Sequence, residues 1–447
     1  MKIGLEVHVQ LATRTKLFCG CPVREGEPNT LTCPTCLGLP GGRPRVNARA
    51  VEHAVKIALA LNCRVPERLV FSRKTYFYPD MAKNYQITQF EVPVGSGGWL
   101  EVGGRKIGIR RVNLEEDPAR LVHVGGFANQ KYVLVDYNRS GIPLCEIVTE
   151  PELKSPEEAR LFLQTLASLL DYLEVWNGTI KTDANVSTGG ARVEIKNISG
   201  FREVEKALRY EALRQKRAGA RRETRAWDPE AGVTRSLRKK ETEEDYGYIF
   251  EPDIPPVRLG PVVRSVRPAI PELPWEKRER FEREFGLGKE LSKAVTSDAD
   301  IAILFEKTAE RFDPKFVASW ITVVKKVLNY NKLRLKDTGF GVREFAEILR
   351  AVSAGKLSDR AAELVLREVV PDPGSLNRVI ENYVKVGGGS VEAIVEAVVK
   401  ENPEAVADYL KGNEKALHFL VGKVMAKTGG RADAREVREI LKKKLSG

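Results

Sequence analysis

The chain has 447 residues, 42 % hydrophobic and 30 % charged, with 73 Lys and Arg against 61 Asp and Glu and a formal net charge of +12. That describes a soluble globular protein with a large core, roughly three domains at ~150 residues each, and it favours a polyanionic partner. No stretch approaches 18 apolar residues, so no membrane span is expected, and the start MKIGLEVHVQL lacks the features of a signal peptide; a cytoplasmic location is the expectation.

In chain order, the first predicted element is a strand over Ile3–Leu11. Ile3, Leu5, Val7, Val9 and Leu11 fall on one face; Glu6, His8 and Gln10 fall on the other. Glu6 and His8 therefore point the same way and could reach one ion, although an exposed polar face explains them equally well. Cys19 and Cys21, then Cys33 and Cys36 after an eleven-residue gap, suit a closed tetrahedral site and hence structural zinc in a loop over 19–36. A disulfide or redox pair is the alternative, and Cys63 and Cys145 read as core residues. Asn47 caps a predicted helix running to Leu61.

Phe71–Gln89 interleaves Tyr and Phe with Lys and Arg, which suits either stacking on bases or plain sheet packing. Gly95–Gly104 reads as a hairpin with its turn at Gly97-Gly98. Strands follow over Lys106–Leu114 and Tyr132–Tyr137, and a third short run carries Glu146. Glu115, Glu116, Asp117, Asp136 and Glu146 thus lie at or near strand ends, where paired carboxylates can bind a divalent cation. The competing reading is salt-bridged turns served by Arg110, Arg111, Arg120 and Arg139.

Ser155, Pro156 and Glu158 open a helix to Leu173. In Ala191–Asn197 the charged Arg192, Glu194 and Lys196 share a strand face, which suits a cleft holding phosphate and metal together. Arg192 and Lys196 are the candidate phosphate-binding residues. A helix over Arg202–Ala218 precedes a basic stretch, Arg221–Lys240, read as solvated surface or contact. Seven Pro between 252 and 274 place a boundary near 270, and everything beyond reads as short helices. Positions 411–447 hold ten Lys and Arg against four Asp and Glu, which fits RNA contact or a solubilising face.

Long strings then carry a resemblance: GLEVHVQL (4–11), KLFCGCP (16–22), CPTCLGLPG (33–41), KTYFYPDMAKNYQITQ (74–89), LEEDPAR (114–120), VDYNRSGIPLCEIVTEP (135–151), DANVS (183–187) and, in the tail, ENPEAVADY and EKALHFLVGKVM. The chain resembles the GatB/GatE family of tRNA-dependent amidotransferase subunits. The resemblance implies an α+β fold: a cradle-shaped catalytic domain with a mixed or antiparallel sheet over 1–270, an all-helical domain over 271–387, and a basic helical tail domain over 388–447 for tRNA contact. It implies ATP and magnesium, with Glu6, His8, Glu146 and Glu115 or Glu116 as metal ligands and catalytic residues, and zinc at Cys19, Cys21, Cys33 and Cys36. The implied reaction is ATP-dependent amidation of misacylated Asp-tRNA(Asn) or Glu-tRNA(Gln). Its ammonia would come from the family's amidase A-subunit, joined through a small C-subunit. A tRNA-binding protein without chemistry and the related archaeal E-type relative are the alternatives; the missing insertion between 1 and 270 favours the B type.

Overall fold

The alternating N-terminal segment forms strand β1, Lys2–Leu11, and the first part of the chain is built outward from it. The computed structural model describes residues 1–124, 132–219, 221–239, 247–384 and 388–445, which fall into two units divided at Leu273/Pro274. In the first unit β2 (Arg68–Leu69), β3 (Ser72–Thr75), β4 (Tyr85–Thr88), β5 (Gly95–Val102), β6 (Arg105–Glu116), β7 (Arg120–Val124) and β8 (Tyr132–Asp136) follow. Then come β9 (Pro143–Thr149), β10 (Trp176–Ser187), β11 (Val193–Ser199), β12 (Glu223–Asp228), β13 (Val233–Lys239), β14 (Gly247–Phe250) and β15 (Val257–Arg258).

Eight of these form one sheet in the order β13-β12-β11-β10-β1-β9-β6-β5. The β11–β12 pair is parallel and the others are antiparallel. The pattern explains why β1 sits inside: Ile3, Leu5, Val7, Val9 and Leu11 are all at most 1 % exposed. Burying each such side chain is worth about 1.5–3 kcal/mol, so a central position is the favoured one. Helices Ala48–Ala60, Pro156–Leu173 and Phe201–Ala218 pack against the sheet. The first starts as expected, with the Asn47 side chain accepting from the amides of Arg49 and Ala50; Ser155 does the same for Glu158.

Two expectations are corrected. The hairpin turn between β5 and β6 is at Gly103-Gly104 (φ 59° and 79°), not at Gly97-Gly98. Gly98 instead lets the strand approach the helix end: a Cβ there would lie 2.3 Å from the Leu61 carbonyl oxygen. Arg192 precedes β11 and is exposed, so it does not share a strand face with Lys196. The basic stretch contains β12 and β13, an edge hairpin whose charged residues hid its strand character; Lys240 lies outside the described residues.

The second unit is helical. Its helices run from Pro274–Phe285 to Ala434–Leu445, in keeping with the short helices expected beyond 270. Within it, Val391, Val395, Val398, Leu417, Leu420, Val424 and Leu441 form a cluster of their own; the expected junction at 387/388 adjoins residues outside the described ones. Among the described residues no helix is long and apolar enough to cross a membrane.

Candidate active site

Sheet register brings the site together. On β1, Glu6 stands across from Asp183 of β10 and Val148 of β9, and His8 stands across from Lys181 and Glu146. β6 adds Asn113 opposite Glu146 and Arg111 opposite Val148. Directly opposite residues have Cβ atoms about 4.5–5.5 Å apart, so charged groups from distant parts of the sequence become neighbours on one face.

His8 Nε2 lies 3.6 Å from Glu6 Oε1 and 3.7 Å from Glu115 Oε1. One ligand atom each from Glu6, His8 and Glu146 lie within 4.8 Å of one another. The cluster opens onto a cleft of about 410 Å³ that is also lined by Lys74, Asp117, Arg139, Lys181, Asp183 and Lys196. Neighbouring side chains fix the donors. Thr88 Oγ1 donates to Glu115 Oε2 at 2.7 Å, leaving Oε1 facing His8. Arg111 Nε and Asn113 Nδ2 donate to Glu146 Oε1 at 3.2 and 3.3 Å. Arg111 pairs with Glu146, as the salt-bridge reading expects, while Glu6, His8 and Glu115 face one another, the grouping that the ion reading requires.

Glu115 and Glu116 separate because successive strand residues point to opposite faces. Glu116 faces away from His8. Its carboxylate takes both bonds of Lys83 Nζ, at 2.5 and 2.7 Å, and the Ile87 amide at 2.8 Å. It lines a different cavity, of about 130 Å³, shared with Cys19, Cys36 and Lys16. Asp136 also lies apart, accepting from the Asn29 and Asn138 amides. Lys196 reaches the cleft and donates to Asp183 Oδ2 at 3.0 Å.

The electrostatics are those of a site short of positive charge. Burial, then Glu146, push Glu6 above its ordinary range. Burial and Glu146 also push Glu115 up to about 7. Burial alone would depress His8, but Glu6, Glu115, Asp183 and Glu146 outweigh it and raise it. Glu146 goes the other way: burial opposes its charge, yet Arg111, His8 and Lys74 hold it below its ordinary value. Carboxylates whose negative charge is disfavoured by burial and by one another, beside an imidazole, offer a donor set that a divalent cation can neutralise.

The second ligand cluster is Cys19, Cys21, Cys33 and Cys36, whose Sγ atoms also lie within 4.8 Å of one another; all six cysteines are free thiols. Cys36 Sγ accepts from the Cys33 amide at 3.2 Å and from Lys16 Nζ at 3.5 Å. The hydrogen bond from Cys19 draws the Cys36 thiol down to about 4, whereas burial pushes Cys21 up to about 11. Four sulfur donors with N–H groups aimed at one of them fit a soft, tetrahedral ion.

Lys74, Lys181 and Asp183 were not singled out from the sequence. Lys181 and Asp183 alternate with Thr182 and Ala184 just as Glu6 and His8 alternate on β1, which is the available signal. Only the β1–β10 register says that the two polar faces coincide.

The chain matches the model of the GatB/GatE catalytic domain over residues 1–264 and that of the GatB domain over 303–445. It is 44 % identical to a protein of Methanococcoides burtonii, with 98 % of this chain and 97 % of that one covered. It is 44 % identical to one of Halobacterium salinarum (99 % and 97 %) and 43 % identical to one of Methanosarcina barkeri (100 % and 98 %). Each of these relatives is named as the B-subunit of an aspartyl/glutamyl-tRNA(Asn/Gln) amidotransferase.

Proposed function

Because the chain belongs to the GatB/GatE family of amidotransferase subunits, we propose that its first unit amidates the side-chain carboxylate of Asp-tRNA(Asn) or Glu-tRNA(Gln) by way of phosphoryl activation. The observation that carries this reading is the grouping of Glu6, His8, Glu115 and Glu146 in a cleft that Lys74, Lys181 and Lys196 also line. A carboxylate cannot be displaced by ammonia directly, because its leaving group would be oxide or hydroxide. Transfer of the ATP γ-phosphoryl group to the carboxylate gives an acyl phosphate and ADP. Ammonia then attacks the carbonyl carbon and inorganic phosphate leaves with the C–O bonding pair.

The residues divide the work. Glu6, His8 and Glu146, with Glu115 Oε1 beside them, would hold a magnesium ion. When bound, it neutralises phosphate oxygens and gathers anionic groups. Thr88, Arg111 and Asn113 keep those donors in place. Lys196, positioned by Asp183, donates N–H to a phosphate oxygen, and Arg192 has no such role because it is exposed outside the cleft. Glu116 is a structural partner of Lys83 rather than a ligand. Cys19, Cys21, Cys33 and Cys36 hold zinc structurally. Ammonia comes from a glutamine-hydrolysing partner, the family's amidase A-subunit with its small C-subunit. The surplus of Lys and Arg in 411–447 favours tRNA contact there.

The test supplies purified chain with misacylated tRNA, ATP, magnesium and ammonium chloride in place of the partner. Amidated aminoacyl-tRNA is the expected product. No product, even with the partner proteins and glutamine added, would move the function to tRNA binding without chemistry.

A further inference from the structure

Among the described residues, Lys16 is the bulkiest charged side chain sealed from solvent, at 0 % exposure, and it packs against the cysteine cluster. Its Nζ donates to Cys36 Sγ at 3.5 Å and to the Tyr137 carbonyl oxygen at 3.3 Å. A buried ammonium costs several kcal/mol unless it is paired, so this one depends on the negative charge of the sulfurs. The Tyr137 carbonyl in turn closes the turn 137–140, accepting from the Ser140 amide at 3.1 Å. That turn is moulded on the cysteine loop by further bonds. Ser140 Oγ donates to the Cys36 carbonyl at 3.2 Å, and the Leu17 amide donates to the Gly141 carbonyl at 2.8 Å. The Leu31 amide donates to Asn138 Oδ1 at 2.8 Å, and Asn138 Nδ2 donates to the Glu27 carbonyl at 2.7 Å.

The far side of the same turn reaches the cleft. Arg139 Nε donates to the Pro118 carbonyl at 2.8 Å and Nη2 to the Ala119 carbonyl at 2.6 Å, with Asp117 3.5 Å away; Arg139 and Asp117 both line the cleft. Two turn amides complete the link, Gly141 to the Asp117 carbonyl and Asp117 to the Ile142 carbonyl. Gly141 has φ 86°, a conformation that keeps the turn close against Cys36 and Lys16.

We propose that Lys16 is a positioning residue that transmits the occupancy of the four-cysteine centre to Arg139, so that the centre sets the cation at one wall of the cleft. The proposal rests on the reading above for what the cleft does, but not for the coupling itself. Losing the ion releases the four sulfurs from one another, leaves the Lys16 ammonium without a fixed counter-charge, and loosens the turn that carries Arg139.

The test uses the full chain with its metal. Lys16→Met keeps the length and removes the charge. The expected result is metal release to a chromogenic chelator faster by about 10–100-fold, the range for removing a partner that supports a ligand. The amides of 138–142 then lose hydrogen-exchange protection while those of β1 keep theirs. In amidation assays, whichever KM rises in Arg139→Lys, for ATP or for aminoacyl-tRNA, rises in Lys16→Met too, with kcat less affected. The double variant falls short of the combined effect. A merely structural role would lower the active fraction, and hence kcat, at unchanged KM. Unchanged exchange at 138–142, or fully additive effects, overturns the coupling. If Lys16→Met does not fold, the wild-type chain stripped of its ion carries the same exchange test. A wild-type chain that never amidates defeats the functional reading, while the exchange result still decides this one.

Discussion

Glu115 and Glu116 are adjacent in sequence and do unlike things, because the pleat turns them to opposite faces. Glu116→Gln breaks a buried pair with Lys83, both side chains being less than a tenth exposed, and should cost about 3–5 kcal/mol in denaturant unfolding. Cation-dependent phosphate release should survive in the folded fraction. Glu146→Gln or Glu6→Gln should lower that release at least about 100-fold, by analogy with weaker losses at supporting positions, while leaving tRNA binding intact. Full phosphate release in either variant would remove the residue from the site. The pH dependence follows from Glu115. Its folded value of about 7 lies above its ordinary 4.5, so its contribution to stability is complete below pH 4.5 and lost as pH rises through 7. For the cation-free chain that amounts to roughly 3 kcal/mol at most, and it should vanish in Glu115→Gln. A divalent cation replaces the proton, so magnesium should raise Tm more at pH 8 than at pH 5.5; equal shifts at both values would contradict this origin.

At the scale of single elements, glycines in one hairpin have opposite tolerances. Gly98→Ala drives a Cβ into the Leu61 carbonyl and should destabilise by about 1–3 kcal/mol or more. Gly103→Asn, at φ 59° in the first central position of the turn and with only an ordinary contact to Leu161 at 3.6 Å, should be nearly neutral in thermal melts. β1 was legible from its alternation alone, and so were the helices capped by Asn47 and Ser155 and the helical character of the second unit. Each of those signals is local. β12 and β13 were not legible, because their many charged residues gave no apolar alternation and their strand character comes from pairing at the sheet edge. The site divides the same way. Glu6, His8 and the four cysteines declare themselves by spacing. Sorting Glu115 from Glu116, recruiting Asp183 and discarding Arg192 all need strand register or strand limits, which no single segment carries.

At the scale of the molecule, the chemistry proposed here draws only on residues of the first unit. The tail segment has an apolar cluster of its own, which includes Val391, Leu417 and Leu441. Removing 388–447 should therefore leave the rest folded. We expect it to weaken tRNA binding and flatten its salt dependence, with tRNA-independent nucleotide hydrolysis unchanged; filter binding across a salt series measures this. An unaltered salt slope would move the contact elsewhere. The central place of β1 has a consequence in time. This strand is synthesised well before its two neighbours, which lie at Pro143–Thr149 and Trp176–Ser187. At about 5–20 residues per second it waits roughly ten seconds or more with both edges unpaired. The strand at the centre of the sheet is thus an aggregation hazard for as long as it waits, and the proposed cation site cannot assemble until β9, which carries Glu146, has emerged.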